Sequence, residues 1–455
     1  MRRAKRRIVA CGILVVLAGC VFAPGALGRG GKLDSSFGGG GRVSTPVGFR
    51  APWTQVKVQL AESPDGALVV GGETTLVRYL PDGQLDPNFG EDGTVKVRLP
   101  GFQFELGDLG VDQENRVVAI GTAQGHHSSF ATIVRYQPDG ALDASFGGGD
   151  GIVMTDLGLP PTPGRHTSAV TATLGAVDDR DRITLIAGTV GPVAKCDGRQ
   201  QLARRDRLIA RLSPTGTLDK TFGKGGIASI DPLETVVSMA FDQSGGAVLA
   251  GTLRDDCGDG PHAALIRLHA NGSRNRAFGS GGRDASRRLA GAVSAIALDG
   301  RGRIDVLDRP RQLKLDRGSS KYLRLLPDGR LDPSFGTWAF EFQGPLWRLG
   351  TLAVEPQGRL LFVGTLIHPL SPGNRPPFHR WFAVLPVLRS GQQAGGFGWL
   401  GWGAITRFDP WSDLVASEAL IDQEGRLVIA GPCLRPRLSP KSGFAVARFR
   451  LNPPG

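Results

Sequence analysis

The chain has 455 residues, 40% of them hydrophobic and 21% charged, with a formal charge of +12. That length and apolar content exclude a disordered chain and leave room for a large core or for two or three domains. The 67 glycines and 31 prolines exclude a mainly helical protein and suit a chain of short elements joined by tight turns.

In chain order, the first element is a targeting segment, residues 1–28. Arg2, Arg3, Lys5, Arg6 and Arg7 precede an apolar run, Ile8 to Gly19, that is too short to span a bilayer. Ala26-Leu27-Gly28 offers a small-x-small cleavage site, so simple secretion is the leading expectation. Leu17-Ala18-Gly19-Cys20 also resembles a lipobox, in which Cys20 would be lipidated and anchor the protein. The continued apolar run Val21 to Leu27 speaks against that alternative. Loss of five basic residues with this segment lowers the charge from +12 to +7, with charges interspersed along the chain. That is a mildly basic surface, and no nucleic acid partner is expected.

The next element is Leu33-Asp34-Ser35-Ser36-Phe37-Gly38, and it recurs. Copies read LDPNFG at 85–90, LDASFG at 142–147, LDKTFG at 218–223 and LDPSFG at 331–336. Degraded copies are RNRAFG at 274–279 and GGFG ending at Gly398. The phenylalanines stand at 37, 89, 146, 222, 278, 335 and 397, at intervals of 52, 57, 76, 56, 57 and 62 residues. Self-similarity on this scale marks a repeat architecture. The signature segments run at about 33–43, 85–97, 142–154, 218–230, 274–284, 331–342 and 395–405.

Between signatures, each unit carries three further short runs. In the unit ending at Phe89 these are Val56 to Ala61, Ala67 to Gly72 and Leu76 to Leu80, with Pro-Asp-Gly turns at 64–66 and 81–83. Runs rich in β-branched residues read as strands, and Asp-Gly between them predicts type I′ hairpins. Four strands per unit make a propeller blade. There are seven signatures and seven three-strand sets, but the chain begins with a signature and ends, near Leu451, without one. The expected fold is therefore all-β: one seven-bladed β-propeller of four-stranded antiparallel blades over residues 33–455, with the N-terminal strand closing the last blade.

These motifs resemble the bacterial delta-60 repeat family, whose units carry a PDG turn and an LDxSFGxxG segment. The resemblance covers residues 32–451 and implies an exported propeller-like protein, with little said of activity. The sixth unit departs most: Pro386 stands where other third strands have Arg, and its Leu-Asp is missing.

Asp34, Asp86, Asp143, Asp219 and Asp332 recur in the signature, and Arg78, Arg135, Arg211, Arg267, Arg324 and Arg448 recur in the third strand. One catalytic site has no use for five equivalent aspartates, so these are expected to form partly buried salt bridges between strands or blades. The glycines after Phe37 are expected to serve a turn; no helix start and no Lys-Ser/Thr follows them, which excludes a phosphate loop.

Strand polarity puts the short PDG turns on one face. The variable second-to-third loops and the inter-blade loops share the other, where ligands are expected. His126, His127, Trp399 and Trp402 are candidates for that face, while Arg204-Arg205-Asp206-Arg207 is expected as a solvated loop. No cofactor, metal or catalytic residue is expected, because no HExxH or GxSxG stands in the chain. Cys196 and Cys257 fall in neighbouring units and can pair; separate thiols are the alternative. The leading functional expectation is a monomeric binding scaffold, secreted or at the cell surface, for a protein or glycan ligand. The alternative is a lyase, lactonase or glycosidase with its site at the central opening. The first-strand ends Val236-Val237-Ser238, Val293-Ser294-Ala295 and Leu349-Gly350-Thr351 look small and apolar, which favours the scaffold.

Overall fold

The computed structural model describes residues 31–451 except 53–54, 160–169, 193–201, 232, 254–261, 280–282, 285–291, 310–318, 336, 342–346, 356–357, 369–378, 388–403, 407, 409–412 and 436–438. The expected leader with Cys20, and also Cys196, Cys257, Trp399 and Trp402, lie outside the described residues.

All described secondary structure that pairs is antiparallel sheet, arranged as seven blades. Blade 1 runs from Val58–Glu62 at the centre through Leu68–Gly72 and Thr75–Tyr79 to Thr94–Lys96 at the rim. Blades 2 to 6 repeat this order, starting on the inner strands Gln103–Val111, Val170–Val177, Leu233–Phe241, Ala292–Leu298 and Trp347–Val354. Blade 7 has an interrupted inner strand, Asp413–Leu414 and Glu418–Ile421, then Leu427–Arg435 and Ser439–Arg450. Its rim strand is Arg42–Pro46, paired so that Arg42 opposes Ala447 and Pro46 opposes Gly443. The N-terminal segment thus closes the ring.

The hydrophobic cores lie between blades rather than within them. Each of the seven clusters draws on two neighbours, and the one holding Phe37, Val58, Val70, Val428 and Val446 joins blade 7 to blade 1. A middle strand is covered on both faces, so its pattern is continuously apolar instead of alternating; Leu68–Gly72 is buried at every position. The signature phenylalanines Phe37, Phe89, Phe146, Phe222, Phe278 and Phe335 all sit in these inter-blade cores.

The Asp-Gly turns form hairpins, but not of type I′. In each Pro-Asp-Gly turn the glycine alone has positive φ, as at Gly66 and Gly83, 80° and 88°. Gly66 N–H bonds Ser63 O, and Ser63 N–H bonds Ala67 O, both at 2.8 Å. This is a type I turn followed by a left-handed residue. Proline fits this turn, since its φ near −65° suits the first central position of a type I turn. Asn115 and Asp181 take the left-handed place in blades 2 and 3, at 61° and 58°.

A second recurring glycine lies within the second strand. A Cβ on Gly121, Gly251 or Gly431 would lie 2.1, 1.7 or 1.8 Å from a carbonyl oxygen of the inner strand. Most inner strands bulge, between Leu106 and Asp108 in blade 2 and between Ala172 and Leu174 in blade 3. Only glycine accommodates that approach.

Blade 3 departs from the sequence expectation. Its second and third strands extend to Ile183–Pro192 and Leu202–Leu212, so the basic run at 204–207 is strand, with Val190 opposite Arg204.

Candidate functional site

The signature aspartate organises its own turn. Asp143 Oδ1 accepts from Ser145 N and Oγ, at 3.0 and 2.7 Å, which explains the Asp-x-Ser/Thr spacing. Oδ2 accepts from Arg135 Nε at 2.6 Å. The same pair forms between Asp219 and Arg211 at 2.8 Å and between Asp34 and Arg448 at 2.9 Å, whereas in blade 1 Arg78 Nη2 bonds Asp65 of the first turn and Asp86 lies 3.4 Å from Arg78 Nη1. In every blade the arginine, or Pro386 in blade 6, stands at one register position opposite the second strand.

Two further blades change partners. In blade 4 the signature position is Asn275, and Arg267 bonds Asp242 at 2.7 Å. In blade 5 the residue opposite Arg324 is Asp305, where the other blades have Val, Thr or Leu, and it captures the guanidinium at 2.8 Å. Asp332 is left to Arg303, at 3.4 Å. The expected Arg324–Asp332 pair is therefore replaced by a shorter, in-register one.

Each latch also reaches the next blade. Arg448 Nη1 donates to Pro81 O at 2.7 Å, and Gly38 N to Asp82 O at 2.6 Å, both in blade 1's PDG turn. Arg78 and Gly90 repeat this onto Pro138 and Asp139, at 2.9 and 2.8 Å. A Cβ on Gly83 would stand 2.8 Å from Gly38 N and 3.0 Å from the Phe37 ring. The PDG glycine is thus fixed both by its φ and by its contact with the preceding blade's Phe-Gly.

A third charged set was not read from the sequence: an acid and an arginine four residues apart across the first turn. Asp112–Arg116, Asp178–Arg182, Asp299–Arg303, Glu355–Arg359 and Asp422–Arg426 pair at 2.5–2.7 Å. The signal was available as a once-per-unit spacing. With these pairs, the charges recurring on the short-turn face are bonded to one another.

The long-loop face differs. A cavity of about 820 Å³ lies over blade 1, bounded by the entry loop 50–57, the Glu73–Thr74 turn, the exit segment 96–106 and Gln124. Arg50, Lys57, Lys96 and Arg98 line it, all exposed. Among the described residues, Arg50, Lys96 and Arg98 form no ion pair. Glu73 holds the entry loop, accepting from Arg50 N at 2.9 Å and Ala51 N at 2.7 Å, with its own φ at 51°.

Lys57 also faces the axis. Its Nζ lies 3.4 Å from Gly107 O, and Gln59 Nε2 lies 2.7 Å from the same oxygen. Asp108 follows that bulge and accepts from Leu109 N and Gly175 N, each at 2.9 Å. Burial, together with the nearby Asp108 charge, pushes Glu418 of blade 7 up to about 7 against the pull of Lys57. Burial likewise raises Asp108, against Lys57. Carboxyls from the inner strands of blades 7 and 2, with blade 1 between them, thus sense one another. The expectation of small, apolar inner-strand ends was drawn from blades 4 to 6, and it does not extend to blades 7, 1 and 2.

His126 and His127 are exposed on the second-to-third loop of blade 2, their ring centroids 6.1 Å apart. Among the described residues no group of three or more His, Cys, Asp or Glu is placed to hold a metal ion, and Cys433 is buried and unbridged.

Residues 63–89 and 115–146 match the model of a β-propeller domain of unknown function, DUF5122. Each match runs from a first turn to a signature phenylalanine and supports a β-propeller repeat chain. No functionally curated protein matches the sequence. Among solved structures, the chain is similar to a PQQ-bound aldose sugar dehydrogenase from Streptomyces coelicolor, at 16% identity over 71% of this chain and 92% of that one, TM-score 0.40. It is similar to a gluconolactonase from Xanthomonas campestris, at 13% over 93% and 96%, TM-score 0.34. It is also similar to Drosophila Semaphorin 2a, at 9% over 90% and 75%, TM-score 0.43. These distant likenesses say nothing of activity.

Proposed function

We infer that the chain is an exported propeller of the delta-60 repeat type that acts as a binding scaffold, its ligand docking on the long-loop face. One observation supports this above the others. The ionisable groups of the repeat signature are bonded to one another in the latches and first turns, whereas Arg50, Lys96 and Arg98, which lie outside the signature, line a cavity and form no ion pair among the described residues. A rigid ring presenting non-repeating residues in loops is the arrangement binding sites favour.

The test is a glycan- and protein-array screen of the mature chain beside two variants. Lys96→Glu/Arg98→Glu alters the cavity; Lys224→Glu alters an exposed lysine on the short-turn side. Binding lost in the first and kept in the second supports the reading, and the reverse pattern overturns it.

The enzyme alternative has one observation in its favour, the Lys57, Asp108 and Glu418 cluster on the axis. Lactone or glycoside turnover abolished by Glu418→Gln would establish it. Turnover unchanged in that variant would remove it.

A further inference from the structure

The following rests on the scaffold reading and names the ligand class for the same cavity. We propose that the cavity over blade 1 takes a carboxylate-bearing oligosaccharide of the uronate kind. The first argument is charge. Three cations without an ion pair among the described residues, Arg50, Lys96 and Arg98, face two carboxylates, Glu73 and Glu105, and Glu73 already accepts two backbone N–H groups of the entry loop. The balance is positive and fits an anion.

The second argument is geometry. Val95, Val97 and Leu99 point into the core, so Lys96 and Arg98 stand outward on one side of the exit segment. Residues two apart on an extended chain are about 6.6 Å apart, which suits a polymer with repeating charges better than one compact anion. Arg50 and Arg98 each offer a planar fork that matches a planar carboxylate.

The third argument is the uncharged lining. Gln55, Gln103 and Gln124 each offer an amide donor and an amide acceptor, the pair that a sugar hydroxyl requires. Phe102, half-exposed, is held by an edge contact with Phe130 at 5.9 Å and adds an apolar wall for a sugar ring. The volume of about 820 Å³ falls within the roughly 300–1,000 Å³ of small-ligand sites.

Competing ligands fit less well. A protein partner needs an apolar centre within a broad flat contact, but Val56, Val97, Leu99, Phe104 and Leu106 at the cavity are buried in the core. Single-stranded nucleic acid needs a row of stacking aromatics, and Phe102 is the one half-exposed aromatic among the described residues of the lining.

The experiment is calorimetric titration of the full mature protein with hexagalacturonate, with its carboxyl-reduced counterpart and with hexaglutamate. The variant Arg50→Glu/Arg98→Glu is run in parallel, and its melting curve confirms folding. Hexagalacturonate is expected to bind, weakening as salt rises. Carboxyl reduction and the double variant should each weaken it by about tenfold or more, as loss of charge-assisted contacts does. Equal binding of the reduced sugar overturns the carboxylate assignment while leaving the cavity as a docking site, provided the variant still loses binding. Hexaglutamate bound as tightly overturns the sugar. Hexagalacturonate bound equally by the folded variant overturns the cavity itself, and the scaffold reading with it. No binding of any probe overturns the ligand class.

Discussion

Replacing Asp34 tests the ring closure at the place where it lacks covalent continuity. The fully buried carboxylate accepts from Arg448 Nε at 2.9 Å, Arg450 Nε at 2.8 Å and Ser36 Oγ at 2.8 Å. Asp34→Ala leaves Arg448, itself 2% exposed, without its carboxylate. Removing one partner of a buried pair costs about 3–5 kcal/mol. A second estimate comes from titration. Burial opposes ionisation of Asp34, but Ser36, Arg450 and Arg448 outweigh it and hold the carboxyl at about 2, against 3.8 ordinarily. That difference is worth about 2 kcal/mol, present above pH 3.8 and lost as pH falls toward 2. The two figures bracket about 2–5 kcal/mol. Asp143→Ala breaks the equivalent latch in blade 2, where the rim strand Ile152–Thr155 stays joined to its neighbour through a short connection. Urea unfolding should show similar losses for both variants. Trypsin should cut at Arg42 early only in Asp34→Ala, because only there does the rim strand belong to the far end of the chain. An Asp34→Ala protein within 1 kcal/mol (roughly the cost of an ordinary surface change) of wild type, and as resistant to trypsin, would refute the closure argument.

Other outcomes follow from the same geometry. Gly83→Ala should lose about 2 kcal/mol or more, because its Cβ meets Phe37 and Gly38, whereas Gly48→Ala, at φ 69° with nothing within 4 Å, should lose only the left-handed penalty of about 1 kcal/mol; equal melting points would refute the interlock. Glu418 has its folded pKa raised from 4.5 to about 7, so its contribution to stability is fully present below pH 4.5 and lost as pH rises through 7. Wild type should therefore lose up to about 3 kcal/mol over that window relative to Glu418→Gln; parallel urea-stability curves from pH 4 to 8 would exclude a raised Glu418. Cys433, 4% exposed, should react with a thiol reagent only in urea; rapid labelling in native buffer would place it wrongly.

How much of this was legible depends on whether a residue belongs to the repeat. Phe37, Gly83 and the Asp–Arg latch were visible because the same contact is needed at successive blade junctions. The partner switch in blade 5 was not, because it turns on Asp305 facing Arg324 across a register that only strand pairing defines. The type I turns were misread because Asp-Gly outweighed the preceding proline. Lys57, Asp108 and Glu418 were missed for a different reason: they are far apart in sequence and meet only when the ring closes. The positions most evident in the sequence are those the fold uses up. Asp34 shows this, since each carboxylate oxygen already holds an arginine and Oδ1 holds Ser36 as well. A ligand would have to displace a bond that keeps the ring shut. The opposite holds for Lys96 and Arg98, which lie outside the signature and form no ion pair among the described residues. In a ring built from copies of one unit, binding chemistry is to be sought where the copies disagree.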